Sequence, residues 1–141
     1  MTIQQLLDRK SIIDKDSFPP ELKVMWLSEL DGQLYIEVIK THENPDGITF
    51  TPYAESDLGK PLLVPFPYDK LYVPYLMAKV AEAYGESEEY NNHTNSFITA
   101  MNEFKAYWNR TRMPISPIQK KKKIAGTLYV YTSDNPLEAN K

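Results

Sequence analysis

The sequence contains no cysteine, which excludes a disulfide framework, a thiolate nucleophile and cysteine-ligated zinc. Histidine is nearly as scarce. His42 and His93 are the only two, and neither sits in the HExxH spacing of a helical zinc site. The five glycines are scattered singly and no Gly-Lys-Ser/Thr occurs, so the chain has no phosphate-cradling loop and no cofactor signature. A G-x-S-x-G nucleophile elbow is also missing. No run approaches the roughly 18 consecutive apolar residues of a membrane helix. The start, MTIQQLLDRK, lacks the basic and then apolar pattern of a secretion signal. These absences predict a non-enzymatic cytosolic protein with no cofactor, no metal site and no membrane partner.

What is present is an ordinary globular composition over 141 residues, enough for one domain with one modest core. The net charge of -3 argues against a surface that clings everywhere to nucleic acid. Nine of the eleven prolines gather between Pro45 and Pro74 and from Pro114 onward, so they separate helical from extended stretches. Ile3, Leu6 and Leu7 place a short helix at Thr2 to Arg9. Pro20 suits a helix N1 position, and Leu27, Leu30, Leu34 and Val38 carry that helix to Thr41, with a break at Asp31-Gly32 as the alternative. A third helix runs from Tyr68 or Asp69 to Gly85, with Pro74 as a kink or a later start. A fourth follows from Ser87 as N-cap through Phe97, Met101, Phe104 and Trp108 to a stop at Pro114. The short turn at Gly85 makes the last two antiparallel neighbours.

Between His42 and Pro67 lies an extended connector, in which Ile48 to Phe50 and Leu62 to Val64 are candidates for a small antiparallel ribbon. The predicted fold is mainly α, an antiparallel bundle of three to four helices with this β-ribbon connector. Residues 1–113 form the helical domain and residues 114–141 an extended C-terminal arm. In the arm, Lys120, Lys121, Lys122 and Lys123 read as a solvated hinge or as a candidate contact to DNA phosphates, together with Arg110 and Arg112. TLYVYT alternates as a strand would. That strand can pair with the connector of its own chain or add to a neighbour's sheet edge, and the second is the expectation.

Tyrosine is favoured at interfaces. Tyr72, Tyr75, Tyr84 and Tyr90 around the third-to-fourth helix turn, with Leu128, Tyr129, Val130 and Tyr131 of the strand, are therefore the candidate subunit interface. The carboxylates Glu29, Asp31, Glu37 and Glu43, along the second helix, and Asp46, Glu55 and Asp57, in the connector, read as solvated or turn-forming residues, because the D-x-[DN]-x-[DN]-G pattern of a calcium loop is missing. Trp26 and Trp108 read as core.

Two segments, VMWLSELDGQLYIEVIKTH and LLVPFPYDKLYVPYLMAKVAEAYGESEEYNNHTNSFITAMNEFKAYWNRTRMP, resemble small prophage structural proteins of Gram-positive bacteria similar to head-tail connector, or adaptor, subunits. The likeness spans Pro20 to Pro114. It implies a helical subunit of a tailed phage that self-associates into a ring on the portal protein, contacts tail-completion proteins, surrounds the DNA channel, and resides in the host cytoplasm before joining the virion. It implies no catalytic residues. Pro74 and the longer ending beyond Met113-Pro114 depart from the family pattern. A small nucleic-acid-binding regulator using Arg110 to Lys123, and a small enzyme or enzyme inhibitor with a loop-carboxylate site, are the alternatives.

Overall fold

Proline and glycine punctuate the helices largely where the sequence places them. The computed structural model describes residues 1–13, 16–115 and, as backbone, 119–125 and 128–133. The architecture is mainly helical. Helix α1 spans Ile3–Ile13 and buries Ile3, Leu6 and Leu7, one turn longer than the apolar spacing indicates. Helix α2, Pro20–Leu34, starts with Pro at its first position, as expected of a residue whose missing N–H is unneeded there. It does not break at Gly32. It passes directly into a wide π turn, Tyr35–Ile39, in which the Lys40 N–H reaches back to the Tyr35 carbonyl at 2.8 Å. Val38 and Ile39 are both buried there, while Ile36 faces out.

After the connector, a 3-10 turn at Tyr68–Leu71 leads into α3, Tyr72–Tyr84. Pro74 falls in the first turn of α3, where its lost donor is one the helix does not use, so no kink is needed. Gly85 ends α3 in the left-handed conformation at φ 74°, and the Glu86 N–H donates to the Ala81 carbonyl at 3.0 Å, the wrapped ending glycine permits. Helix α4, Ser87–Thr111, follows at once and packs along α3. Its N-cap is Glu86 rather than Ser87, and no side chain caps it. Phe104 and Trp108 fill the centre of the core with Leu27, Leu71, Tyr72 and Leu76.

The connector does not form the expected ribbon. Ile48 to Phe50 and Leu62 to Val64 pair with neither each other nor a strand. Instead the connector's last part lies against the N-terminus. The Ile3 N–H donates to the Lys60 carbonyl at 3.1 Å and the Leu62 N–H to the Met1 carbonyl at 2.9 Å. Its first part is laid on α2 by rings, with Phe50 between Tyr35 and Tyr53. Gly32 is why Phe50 fits: a Cβ there would stand 3.2 Å from the ring. Gly32→Ala should therefore stay within about 1 kcal/mol of neutral, helix propensity offsetting a small ring shift. Gly32→Leu should cost about 2 kcal/mol by overpacking. Urea unfolding followed by Trp fluorescence distinguishes them, and equal costs would show that Phe50 does not sense this position.

From Gln119 the described backbone is extended. Strand β1, Gln119–Ala125, pairs antiparallel with β2, Leu128–Ser133, as a two-stranded ribbon. The lysine run is therefore a strand and not a hinge. The partner of the alternating strand is that run, and among the described residues it pairs with neither the connector nor any other sheet edge. Thr127, which the sequence pattern includes in the strand, and the polar end at residues 134–141 lie outside the described residues.

A candidate assembly surface and the buried polar anchors beneath it

The most constrained polar group is Asp31, which the sequence reading assigned to a solvated helix face. It is fully buried. Its position explains this: Asp31 is four residues after Leu27 and next to Leu30, on the apolar stripe of α2. Its carboxylate accepts hydrogen bonds from the Tyr53 hydroxyl, from the Tyr72 hydroxyl at 2.6 Å and from the Leu63 N–H at 3.2 Å. The Tyr72 oxygen in turn accepts the Val64 N–H at 2.9 Å. One carboxylate thus ties α2, α3 and both halves of the connector together. Burial pushes its pKa above the ordinary carboxylate value, against the opposing pull of those three donors. Burial, and then the Asp31 charge, push both tyrosines up as well.

A second polar anchor lies at the other end of α1. Lys10 and Lys23 are buried, and the Asp16 carboxylate meets both ammonium groups, at 2.7 and 2.9 Å. Burial alone would push Asp16 up, but hydrogen bonds from Lys10, Lys23 and the Phe18 N–H together outweigh it and hold the carboxyl below its ordinary value. Lys10 falls four residues after Leu6 and Lys23 four before Leu27, on buried faces again, which is the signal that could have marked them.

Of the proposed interface tyrosines, Tyr72 is a correction. It is enclosed in the core and committed to Asp31 and Val64, so this fold does not offer it to a partner. Tyr75 is half-buried, its hydroxyl donating to the Trp26 carbonyl at 2.9 Å and its ring beside Phe97. Tyr84 is exposed, beside Phe18 and within 3.0 Å of the Ser17 hydroxyl, and Tyr90 is partly exposed. These last two flank the Gly85 turn and remain at the surface. Leu128, Tyr129, Val130 and Tyr131 all lie in β2. Their Cα partners are Ala125, Lys123, Lys122 and Lys121, and Lys120 pairs with Thr132.

Arg112 is also committed. Its guanidinium stacks 3.4 Å from the Trp108 ring centroid and approaches Asp46 at 3.5 Å, so it does not extend the lysine run as a phosphate contact. Arg110 is exposed. The connector carboxylates do not converge: Asp46 faces Arg112, Asp57 accepts the Ala54 N–H at 2.7 Å, and Glu55 stands at a separate groove. His42 is bound to the Val38 carbonyl at 2.8 Å and His93 lies 3.4 Å from Glu89. Among the described residues no three of His, Asp and Glu gather closely enough to hold a metal ion, and no helix is long and apolar enough to cross a membrane.

The arm leaves the body at a defined joint. Pro114 bridges His42 in antiparallel fashion, the Glu43 N–H donates to the Met113 carbonyl at 2.8 Å, and the Ile115 N–H donates to the Thr41 carbonyl at 2.9 Å. Beyond it, β1 and β2 pack against no helix among the described residues. Exposed apolar side chains, Met25, Ile36, Phe66, Ile98 and Met113, are spread over several faces of the body. No family model matches the chain, and no curated protein or solved structure is detectably similar to it.

Proposed function

We propose that the protein is a non-enzymatic structural subunit of a tailed-phage virion, of the head-tail connector kind, which self-associates into a ring on the portal and meets tail-completion proteins. It would be made in the host cytoplasm and end in the virion. The observation that carries this reading is the division of labour within the chain. A helical body fixed by two buried polar anchors bears, at one joint, a ribbon that among the described residues packs on none of its own helices and contains four consecutive lysines. A rigid body with a detached arm is what an assembly subunit needs, since the arm can reach a neighbour while the body keeps its shape. Both outer edges of a two-stranded ribbon also carry backbone donors and acceptors that a further strand can satisfy.

The strand of lysines favours a second contact, with the phosphates of DNA passing through such a ring. It supports a regulator of free DNA less well, because Arg112 is held by Trp108 and Asp46.

The purified chain is expected to co-purify with the portal and tail-completion proteins of the same prophage, and negative-stain images of the complex should show a ring on the portal. Changing Lys120, Lys121, Lys122 and Lys123 together to Ser should weaken ring formation without lowering the thermal midpoint of the isolated chain. Absence of binding to either partner, with salt-dependent retention on duplex DNA instead, would replace this reading by the nucleic-acid one.

A further inference from the structure

Opposite charges are segregated along the chain. Residues 1–113 carry 17 acidic and 11 basic side chains, whereas residues 114–141 carry five basic and two acidic ones. The acidic body includes a groove of about 570 Å³ between the first half of α2 and the connector. Leu22, Met25 and Tyr53 contribute apolar surface to it, and Glu21, Glu29 and Glu55 are its charged residues. All three glutamates are exposed, no basic residue lines the groove, and none of the ion pairs among the described residues involves them.

We propose that this groove receives strand β1 of a second copy of the chain, the lysines of one strand face, Lys120 and Lys122 or Lys121 and Lys123, meeting Glu21, Glu29 and Glu55. Lysine suits the site twice over, because its four-carbon stem covers apolar surface while its ammonium group reaches a carboxylate at the rim. Ile124, which follows the run, adds an apolar residue of the kind the floor accepts. Among the described residues the ribbon packs against none of its own chain's helices, so the occupant inferred is the arm of another copy.

The two halves of this contact lie at opposite ends of one rod. The groove centres on Met25, and the arm is rooted at Thr41 to Glu43, sixteen or more residues further along the same helical path, about 24 Å at 1.5 Å per residue. A donor patch and an acceptor patch that differ make a head-to-tail interface, which propagates from copy to copy and closes into a ring or runs on as a filament. The inference thus deepens the ring reading and rests on it for the gathering of copies, but the contact itself needs no portal.

The natural lack of cysteine supplies a clean test. Full-length Met25→Cys and Ile124→Cys variants, mixed under oxidised glutathione, are expected to form the mixed disulfide dimer about tenfold faster than either variant alone, because docking raises the local thiol concentration. Changing Glu21, Glu29 and Glu55 to Lys in the Met25→Cys chain should abolish that advantage. Changing Lys120 to Lys123 to Glu in the partner should restore it, which a merely misfolded groove variant would not allow. Raised salt should weaken the advantage in the natural-charge pair. Equal rates for all pairings, or insensitivity to the charge reversal, would overturn the proposal. So would an internal disulfide in the doubly substituted chain with no mixed dimer, since the arm would then dock at home. A positive result with no ring on the portal would keep the contact and sink the phage reading. A ring with no mixed dimer would do the reverse.

Discussion

Replacing Asp31 with Ala is expected to destabilise the fold by about 3–5 kcal/mol, because three buried donors would lose their acceptor at once and each orphaned group costs about 1–3 kcal/mol. The hydroxyls of Tyr53 and Tyr72 can turn toward other partners, but the Leu63 N–H cannot, and it would be left without an acceptor between the connector and α2. Asp31→Asn keeps an acceptor of the same size and should cost about 1–2 kcal/mol. The pH dependence separates geometry from charge. The folded pKa of Asp31 lies above its ordinary 3.8, so the folded state holds a proton that the unfolded state releases first. The resulting stability is complete below pH 3.8 and is lost as pH rises through the folded pKa. Asn has no such dependence. The deficit of Asp31→Asn relative to the natural chain should therefore shrink between about pH 4 and pH 7, read by urea titration at each pH. A deficit that grows across that range would mean that the hydrogen bonds outweigh burial and the carboxylate is held ionised.

Asp16→Ala should cost about 3 kcal/mol, the usual scale for removing one member of a buried ion cluster. Here the sign with pH is reversed. Asp16 is held below 3.8, so its contribution is present above that pH and is lost as pH falls through the folded value. The deficit of Asp16→Ala should be full at pH 7 and vanish in strong acid. Because desolvating three charges is itself costly, replacing the cluster as a whole with Lys10→Leu, Asp16→Ala and Lys23→Leu should cost less than Asp16→Ala alone. If the triple variant proves the least stable of the set, the ion cluster outperforms apolar packing at this site.

How much of this was legible in the sequence depended on whether the signal was local. Pro20, Gly85 and the stop before Pro114 act through backbone geometry within a turn, and they marked the ends of α2, α3 and α4 to within a few residues. Asp31 reads by side-chain chemistry as solvent-facing, although its spacing from Leu27 puts it inside; Lys10 and Lys23, which the pattern of motifs passes over, are placed inside by the same spacing from Leu6 and Leu27. Residue type outvoted position there, and position was right. The connector ribbon failed for another reason. Short apolar runs such as Leu62 to Val64 signal burial, but they do not say whether a strand, a helix or the chain's own N-terminus will provide it. Lysine is poorly disposed to strands, so nothing within Lys120 to Lys123 announces β1; its pairing depends on the alternating segment Leu128–Ser133 that follows it. Of the groove carboxylates, Glu21 and Glu29 share α2, and Glu55 joins them only once the connector is laid on that helix.

The joint at Pro114 has a mechanical meaning. An arm that simply continued from α4 would transmit any pull to the last turn of that helix, opening its hydrogen bonds one after another. Here the bonds from Glu43 to Met113 and from Ile115 to Thr41 sew the exit of the arm to the end of the α2 path. Tension on the ribbon therefore meets these two bonds before it reaches the last turn of α4. The arm is thereby fixed to the end of the α2 path as well as to α4, so its root moves with both helices.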